Sequence, residues 1–247
     1  MKITQLLEES LMDYEGKIAP IIFFSGCNFA CPSCHARKIL KAESFIDEKE
    51  IFDYLNSRKG WIDGIVLCGG EPTLQHGLEQ FCEKIKEKQG KDFCIKLDTN
   101  GSNPQVLKNL LEKKLVNYLA LDVKASKELY NQVVGVDVET AKIEQSMNLA
   151  LEFPDYEYRT TIVPVVRANE IIFLTIEELK QMAKWVYSIT GKKAKWYLQK
   201  FVARNKEEML DERLSKERLA REMHETPQDL LKQMQIAINA YADVRVR

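Results

Sequence analysis

Three thiols fall within eight residues of this sequence, in the run Cys27-Asn28-Phe29-Ala30-Cys31-Pro32-Ser33-Cys34-His35. Thiolates are soft ligands, suited to zinc or to the irons of an iron–sulfur cluster. Structural zinc takes four ligands, usually as two spaced pairs, and no second Cys-x-x-Cys occurs. His35 adjoins Cys34 and is poorly spaced to close such a site. Three cysteines suit a cluster with one iron left open, and an open iron is where chemistry can happen. Zinc, and plain core or redox thiols, are the other readings that the spacing leaves open.

A second group follows the apolar run Ile62 to Cys68, in Gly69-Gly70-Glu71-Pro72. Glycines let the backbone come close to a ligand, and a carboxylate beside them can bind a cation or an ammonium group. In an α/β barrel the carboxyl ends of the strands carry the site. A turn after a strand uses the same residue types, so the weight comes from the order, with this motif downstream of the cysteine loop. A third group comes from the period of two. Along Tyr118 to Lys124, Leu119, Leu121 and Val123 share the outer face, which turns Ala120, Asp122 and Lys124 inward. Leu97 likewise turns Lys96 and Asp98 inward. Buried charges persist only when paired or ligand-bound, so an internal ion pair at the barrel mouth is the structural alternative.

The elements that position these groups read as alternating strands and helices. Strands are expected over Ile18–Phe24, Ile62–Cys68, Phe93–Asp98, Tyr118–Val123, Tyr156–Val166 and Lys195–Val202. Asp47 with Glu50, and Thr175 with Glu178, have the spacing of helix capping boxes, and Asn103-Pro104 is a helix start. Helical periodicity runs over Leu78–Lys88 and Thr140–Leu151. Residues 204–224 carry twelve charged side chains and read as a solvated or mobile helix. A better amphipathic helix starts at Thr226-Pro227 and uses Leu230, Met234, Ala237, Ile238 and Tyr241. Six strands alternating with helices imply parallel βα units. The expected fold is α/β, a partial (β/α)6 barrel over residues 1–202 with a C-terminal helical extension over 203–247.

The 247 residues fit one large domain. With 36 basic and 37 acidic residues the formal net charge is −1, so no long-range field favours nucleic acid or an anionic membrane. Met1 to Gln5 contain no apolar signal core and no run is long enough to span a bilayer, so a cytoplasmic protein is expected. Cys68, Cys82 and Cys94 are widely spaced and read as core thiols. Trp61, Trp185 and Trp196 read as core or interface aromatics, His76 and His224 as surface residues. Gln199, inward with Tyr197, is a substrate contact or a structural hydrogen bond.

In combination these motifs resemble the radical S-adenosylmethionine superfamily, whose Cys-x₃-Cys-x₂-Cys loop and Gly-Gly-Glu motif stand in this order. The resemblance implies that Cys27, Cys31 and Cys34 hold three irons of one [4Fe-4S] cluster, the fourth iron chelating the methionyl amino and carboxylate groups of S-adenosylmethionine. One electron then cleaves the sulfonium C–S bond, releasing methionine and a 5′-deoxyadenosyl radical. Lys96-Leu97-Asp98-Thr99-Asn100-Gly101 and Asp122-Val123-Lys124 are similar to the activating enzymes of glycyl radical proteins. That similarity implies that Asp98, Asp122, Lys124 and Arg159 line the S-adenosylmethionine site, the aspartates helping to bind a monovalent cation. It assigns Gly69, Gly70 and Glu71 to the methionyl ammonium and brings His35 near the adenine.

Longer stretches, among them Asp13-Tyr14-Glu15-Gly16-Lys17-Ile18 and Leu97 through Pro104, resemble the activating proteins of anaerobic ribonucleoside-triphosphate reductase. The resemblance covers about residues 5–202 and implies a glycyl radical on a C-terminal loop of that partner, inserted into the open side of the barrel. It also implies flavodoxin or ferredoxin as electron donor. Ala36 stands where this branch usually has asparagine, and Ala30 replaces a common arginine, departures that touch loop polarity and docking. No ferredoxin-like insertion with further cysteine clusters is present. The alternatives are activation of another glycyl radical enzyme of the pyruvate formate-lyase type, or a small-molecule reaction of the 7-carboxy-7-deazaguanine synthase type. A non-catalytic metal-binding module would have no use for Gly69-Gly70-Glu71 beside inward Asp98, Asp122 and Lys124.

Overall fold

Apolar runs in this chain are short and separated by capped helical stretches, and the fold follows that alternation. A computed structural model describes residues 1–168 and 170–247. The strands are β1 (Ile3–Ser10), β2 (Ala19–Phe24), β3 (Gly64–Gly69), β4 (Cys94–Thr99), β5 (Tyr118–Asp122), β6 (Asp155–Ile162), β7 (Pro164–Val166), β8 (Ile171–Phe173), β9 (Ala194–Lys200) and β10 (Ala242–Val246). The helices are α1 (Arg37–Leu40), α2 (Glu48–Ser57), α3 (Leu78–Gln89), α4 (Pro104–Glu112), α5 (Tyr130–Val134), α6 (Thr140–Ala150), α7 (Ile176–Thr190) and α8 (Gln228–Ile238). Eight strands form one sheet in the order β1-β2-β3-β4-β5-β6-β9-β10, parallel from β2 onward and antiparallel only at β1. The six expected parallel strands all form, in an α/β partial barrel. Asp47 and Thr175 both close their capping boxes.

Two apolar cores lie on the two faces of the sheet. The larger packs the sheet against the helices, around residues such as Phe24, Phe81, Leu97 and Trp196. The smaller, with Tyr14, Ile21, Val66 and Tyr118, fills the barrel interior. The β1–β2 loop folds beneath the barrel as its floor. There Tyr14 meets Tyr118 edge-on at 5.6 Å between ring centroids, and the Lys96 amine donates to the Asp13 carbonyl. The Arg247 guanidinium lies 3.5 Å from the centre of the Tyr197 ring, 3.2 Å from buried Glu157 and 3.7 Å from Glu15.

Four features differ from the expectations. The stretch Tyr156–Val166 is two strands: Pro164 has no amide for the sheet ladder, and β7 leaves to pair with β8 as a small antiparallel hairpin. Strand β1 stands where no strand is expected. Residues 203–224 form no long helix; they run through two short 3₁₀ turns, Glu212–Leu214 and Arg221–Met223, and bury Met209 and Leu214 completely. Helix α8 ends at Ile238 and is followed by β10, so the C-terminal extension is a further βα unit running on from β9. Trp61 is 80% exposed and lies outside the core, whereas Trp196 is fully buried. Among the described residues no helix is long and apolar enough to cross a membrane.

Thr226 ties the extension to the barrel. Fully buried, its hydroxyl accepts from Phe201 N and donates to Ile162 O, both at 2.8 Å. Thr226→Val keeps the shape and strands both partners. It is expected to cost about 1–3 kcal/mol, read as a lower urea midpoint with an unchanged slope.

Candidate functional site

The cysteine loop leaves the end of β2 and is held at its start by the end of β3. Gly70 N donates to Phe24 O and Glu71 N to Gly26 O, each at 2.8 Å. The approach is too close for a side chain: a Cβ on Gly70 would stand 1.9 Å from Gly26 O, and one on Gly69, whose φ is +117°, 2.3 Å from Phe24 N. Further along, Ala30 N donates to Val134 O at 2.9 Å, at the end of α5. The chain then turns tightly, with Cys34 N bonded to Cys31 O at 3.0 Å.

The three thiols are half-buried and free. Amides point at two of them, Phe29 N at Cys27 Sγ and Ala36 N at Cys34 Sγ, both at 3.4 Å, and Asn100 Nδ2 lies 3.8 Å from Cys27 Sγ. Burial pushes the Cys27 thiol up and the Cys31 thiol to about 11. Such thiols stay protonated near neutral pH until a soft cation displaces the proton. Among the described residues no three His, Cys, Asp or Glu side chains converge on a single-ion site. Three thiolates that hold three separate irons need no such convergence, and N–H donors aimed at sulfur suit a cluster, so the donor set fits an iron–sulfur group.

Glu71 is fully buried. Its Oε1 accepts from Thr73 N at 3.0 Å and Thr99 Oγ1 at 2.7 Å, with Thr73 Oγ1 also donating, and its Oε2 accepts from Asn100 N at 2.7 Å. The carboxylate thereby stitches the end of β3 to the end of β4. Burial raises its pKa, and these four donors oppose the rise. Oε2, with one donor from the chain, keeps acceptor capacity.

A row of alternating charges crosses the strand ends. Lys96 Nζ lies 3.3 Å from Asp98 Oδ1, Asp98 Oδ2 is 2.7 Å from Arg159 Nη1, Arg159 Nη2 is 3.0 Å from Asp122 Oδ1, and Asp122 Oδ2 is 2.8 Å from Lys124 Nζ. Burial alone would raise both aspartates. The Arg159 guanidinium, helped by Lys96 at Asp98 and by Lys124 at Asp122, overrides it, leaving Asp98 below its ordinary value and Asp122 at about 2. Three cations alternate with two anions along this row, and the Glu71 carboxylate lies on the same cavity as Asp98, Arg159, Asp122 and Lys124. Asp98 Oδ1 is buried without a hydrogen bond.

These groups share one cavity of about 370 Å³, inside the range of small-molecule sites, roughly 300–1,000 Å³. Cys27, Cys31, Cys34, Gly69, Gly70, Glu71, Asp98, Asp122, Lys124 and Arg159 all line it, and His35 lies exposed at its mouth. Gln199 also lines it, and so does half-buried Cys68, expected in the core. Asn100 is a further lining residue, bonding Glu71 through its amide and Asn28 Oδ1 through its side chain at 3.0 Å. In the sequence it reads as half of a turn, Asn100-Gly101, and its tertiary partners give no local signal.

Comparison with known proteins places this site in a family. The model of the radical SAM superfamily matches residues 21–186. A Methanocaldococcus jannaschii protein provisionally named glycyl-radical enzyme activating enzyme is 33% identical over 176 residues, 69% of this chain and 72% of that protein. A second protein of that organism, with the same kind of name, is 27% identical over 175 residues, 67% of this chain and 64% of its own. Among solved structures, Streptococcus suis SuiB bound to the precursor peptide SuiA matches with a TM-score of 0.64 at 10% identity, covering 90% of this chain and 46% of that one. Coproporphyrinogen III oxidase of Escherichia coli matches at 0.58 and 13% identity, covering 90% of this chain and 52% of that one. The chain spans about half the length of these two structures, and at such identities they share its fold alone.

Proposed function

The chain belongs to the radical S-adenosylmethionine superfamily, and from that premise we propose that it cleaves S-adenosylmethionine reductively to place a glycyl radical on a partner enzyme. The observation that carries this reading is the meeting of Cys27, Cys31 and Cys34 with the charged row from Asp98 to Lys124 on one cavity. The names of the two Methanocaldococcus jannaschii relatives support the class of partner. Bound in the cysteine loop, a [4Fe-4S] cluster supplies single electrons and an open iron.

The chain's own residues divide the remaining work. Cys27, Cys31 and Cys34 each hold one iron. Glu71 Oε2, with the backbone of Gly69 and Gly70, takes the methionyl ammonium. Lys124 and Arg159, the two cations of the row that line the cavity, take the carboxylate. Asp98 and Asp122 accept a monovalent cation beside it; Asp98 Oδ1 has no hydrogen bond, with Lys96 Nζ standing 3.3 Å away. His35 meets the adenine. The chemistry balances as one electron plus S-adenosylmethionine giving methionine and the 5′-deoxyadenosyl radical. That radical takes one hydrogen atom from a glycine Cα and becomes 5′-deoxyadenosine. The partner we favour is an anaerobic ribonucleoside-triphosphate reductase, with flavodoxin or ferredoxin as reductant.

The test is anaerobic. Reconstituted and reduced protein is given S-adenosylmethionine, 5′-deoxyadenosine is measured, and candidate partners are scanned for a glycyl radical by electron paramagnetic resonance. The expected result is 5′-deoxyadenosine from the reconstituted protein only, and a radical on one partner. No 5′-deoxyadenosine despite a confirmed cluster overturns the reading. Turnover of a small molecule with no radical on any glycine loop overturns the choice of partner class.

A further inference from the structure

The loop from Ala203 to Glu225 is closed at its base. Val202 and Glu225 form an antiparallel bridge, and Ala203 N donates to His224 O at 2.7 Å. Between these ends the loop buries Met209, Leu214 and Leu219, so its shape is held by its own apolar side chains in the manner of an Ω-loop. From this anchored body three backbone bonds reach the cysteine loop. Leu210 N donates to Cys34 O at 2.7 Å, Asp211 N to Pro32 O at 3.3 Å, and Arg37 N to Glu208 O at 3.2 Å. The Arg37 guanidinium adds Lys206 O and Glu212 Oε1, both at 3.3 Å.

The rest of the cysteine loop is secured elsewhere, at its start by β3 and at Ala30 by the end of α5. The stretch from Pro32 to Arg37 is different. Ser33, Cys34 and Ala36 are half-exposed and His35 is exposed, so burial restrains them little. Beyond the local turn from Cys34 N to Cys31 O, the stretch is tied to the Ala203–Glu225 loop, through Cys34 O to Leu210 N and through Arg37 to Glu212, 175 positions away. A cluster with three protein ligands resists iron loss only while all three are held together, because a released thiolate opens its iron to water and chelators.

We infer that the stretch Glu208–Asp211 is a clasp that fixes Cys34 and governs how long a cluster persists in the loop. Leu210, Asp211 and Arg37 are positioning residues for the third thiol. The inference rests on the cluster reading of the cysteine loop and is independent of what the radical acts on.

Leu210→Pro removes the amide that donates to Cys34, and Leu210→Ala keeps it. Arg37→Ala removes the guanidinium ties and leaves the backbone intact. In the apoprotein, alkylation by iodoacetamide is followed thiol by thiol with mass spectrometry, the fully buried Cys82 reporting global unfolding. In the reconstituted protein, bleaching of cluster absorbance by an iron chelator is followed without oxygen. Leu210→Pro should alkylate Cys34 and lose its cluster on the order of fivefold faster, the factor carried by one backbone hydrogen bond. Leu210→Ala should match the wild type, and Arg37→Ala should shift in the same direction as Leu210→Pro. If Leu210→Pro exposes Cys82, it has unfolded and Arg37→Ala decides. Unchanged Cys34 alkylation in the folded variants overturns the clasp. Faster alkylation with unchanged cluster persistence overturns its role. A wild type that takes up no cluster overturns the cluster reading and this inference with it, whatever the alkylation rates.

Discussion

Gly70→Ala is expected to yield a protein that cannot hold a cluster and is destabilised by about 2–5 kcal/mol, the sum of an overpacked contact and two broken backbone bonds. The new methyl group would stand 1.9 Å from Gly26 O and 2.7 Å from Gly26 C, with only Leu40 Cδ2, at 3.0 Å, able to swing away. Backbone must therefore move. If β3 withdraws, the bonds from Gly70 N to Phe24 O and from Glu71 N to Gly26 O break. If Gly26 withdraws, it carries Cys27 with it. Either movement spoils the spacing of the first thiol against the other two. Iron content after reconstitution and the urea midpoint of the apoprotein read the two effects separately. Gly90→Ala is the control: a Cβ there would have no atom within 4 Å, so that variant should bind iron in full, losing only the roughly 1–3 kcal/mol that alanine costs at a backbone φ of +105°. A Gly70→Ala protein with wild-type iron and an unchanged midpoint would show that the close approach is not required.

Arg159→Met carries the second large effect. The guanidinium pairs with two aspartates whose side chains are 11% and 26% exposed. Removing one member of a buried charge network typically costs about 3–5 kcal/mol, because the partners stay desolvated without compensation. The pH dependence has a definite sign. In the wild type both aspartates titrate below their ordinary value, Asp122 at about 2. Their contribution to stability is thus present above the unfolded-state value and lost as pH falls through the folded one. Without Arg159 both carboxyls rise, so the deficit should be greatest at neutral pH and shrink toward pH 5 as they protonate. Urea unfolding at the two pH values measures this, and Asp98→Asn in the Arg159→Met background should recover part of the loss. A deficit that is equal at both pH values would mean that packing, and not charge, is what Arg159 contributes.

The chemistry of the site was legible because it lies in local patterns. Cysteine spacing marked the loop, and the period of two turned Lys96, Asp98, Asp122 and Lys124 inward, where Lys96 is 3% exposed and the other three line the cavity. What is not local was hidden. Asp98 and Arg159 meet across 61 positions, and Glu71 needs Thr99 and Asn100 from the next strand. Strand β1 escapes because only Ile3 and Ser10 are buried in it, which leaves an edge strand no alternating pattern to read. Strand β10 does alternate, Ala242 and Val244 inside and Asp243 and Arg245 outside. Its signal was masked by extending the preceding helix through Tyr241. In residues 204–224 the charges describe the exposed side of a loop whose apolar residues, Met209 and Leu214, follow no helical period.

The floor beneath the barrel has a mechanical consequence. The β1–β2 loop grips β4 through Lys96, β5 through Tyr118, and the last two strands of the sheet through Tyr197 and Arg247. The two sides of the sheet are thereby joined below, and above the strand ends they are joined again, where the loop after β9 bonds the cysteine loop through Leu210 N to Cys34 O and Arg37 N to Glu208 O. Opening the barrel between its edges therefore breaks ties above as well as below.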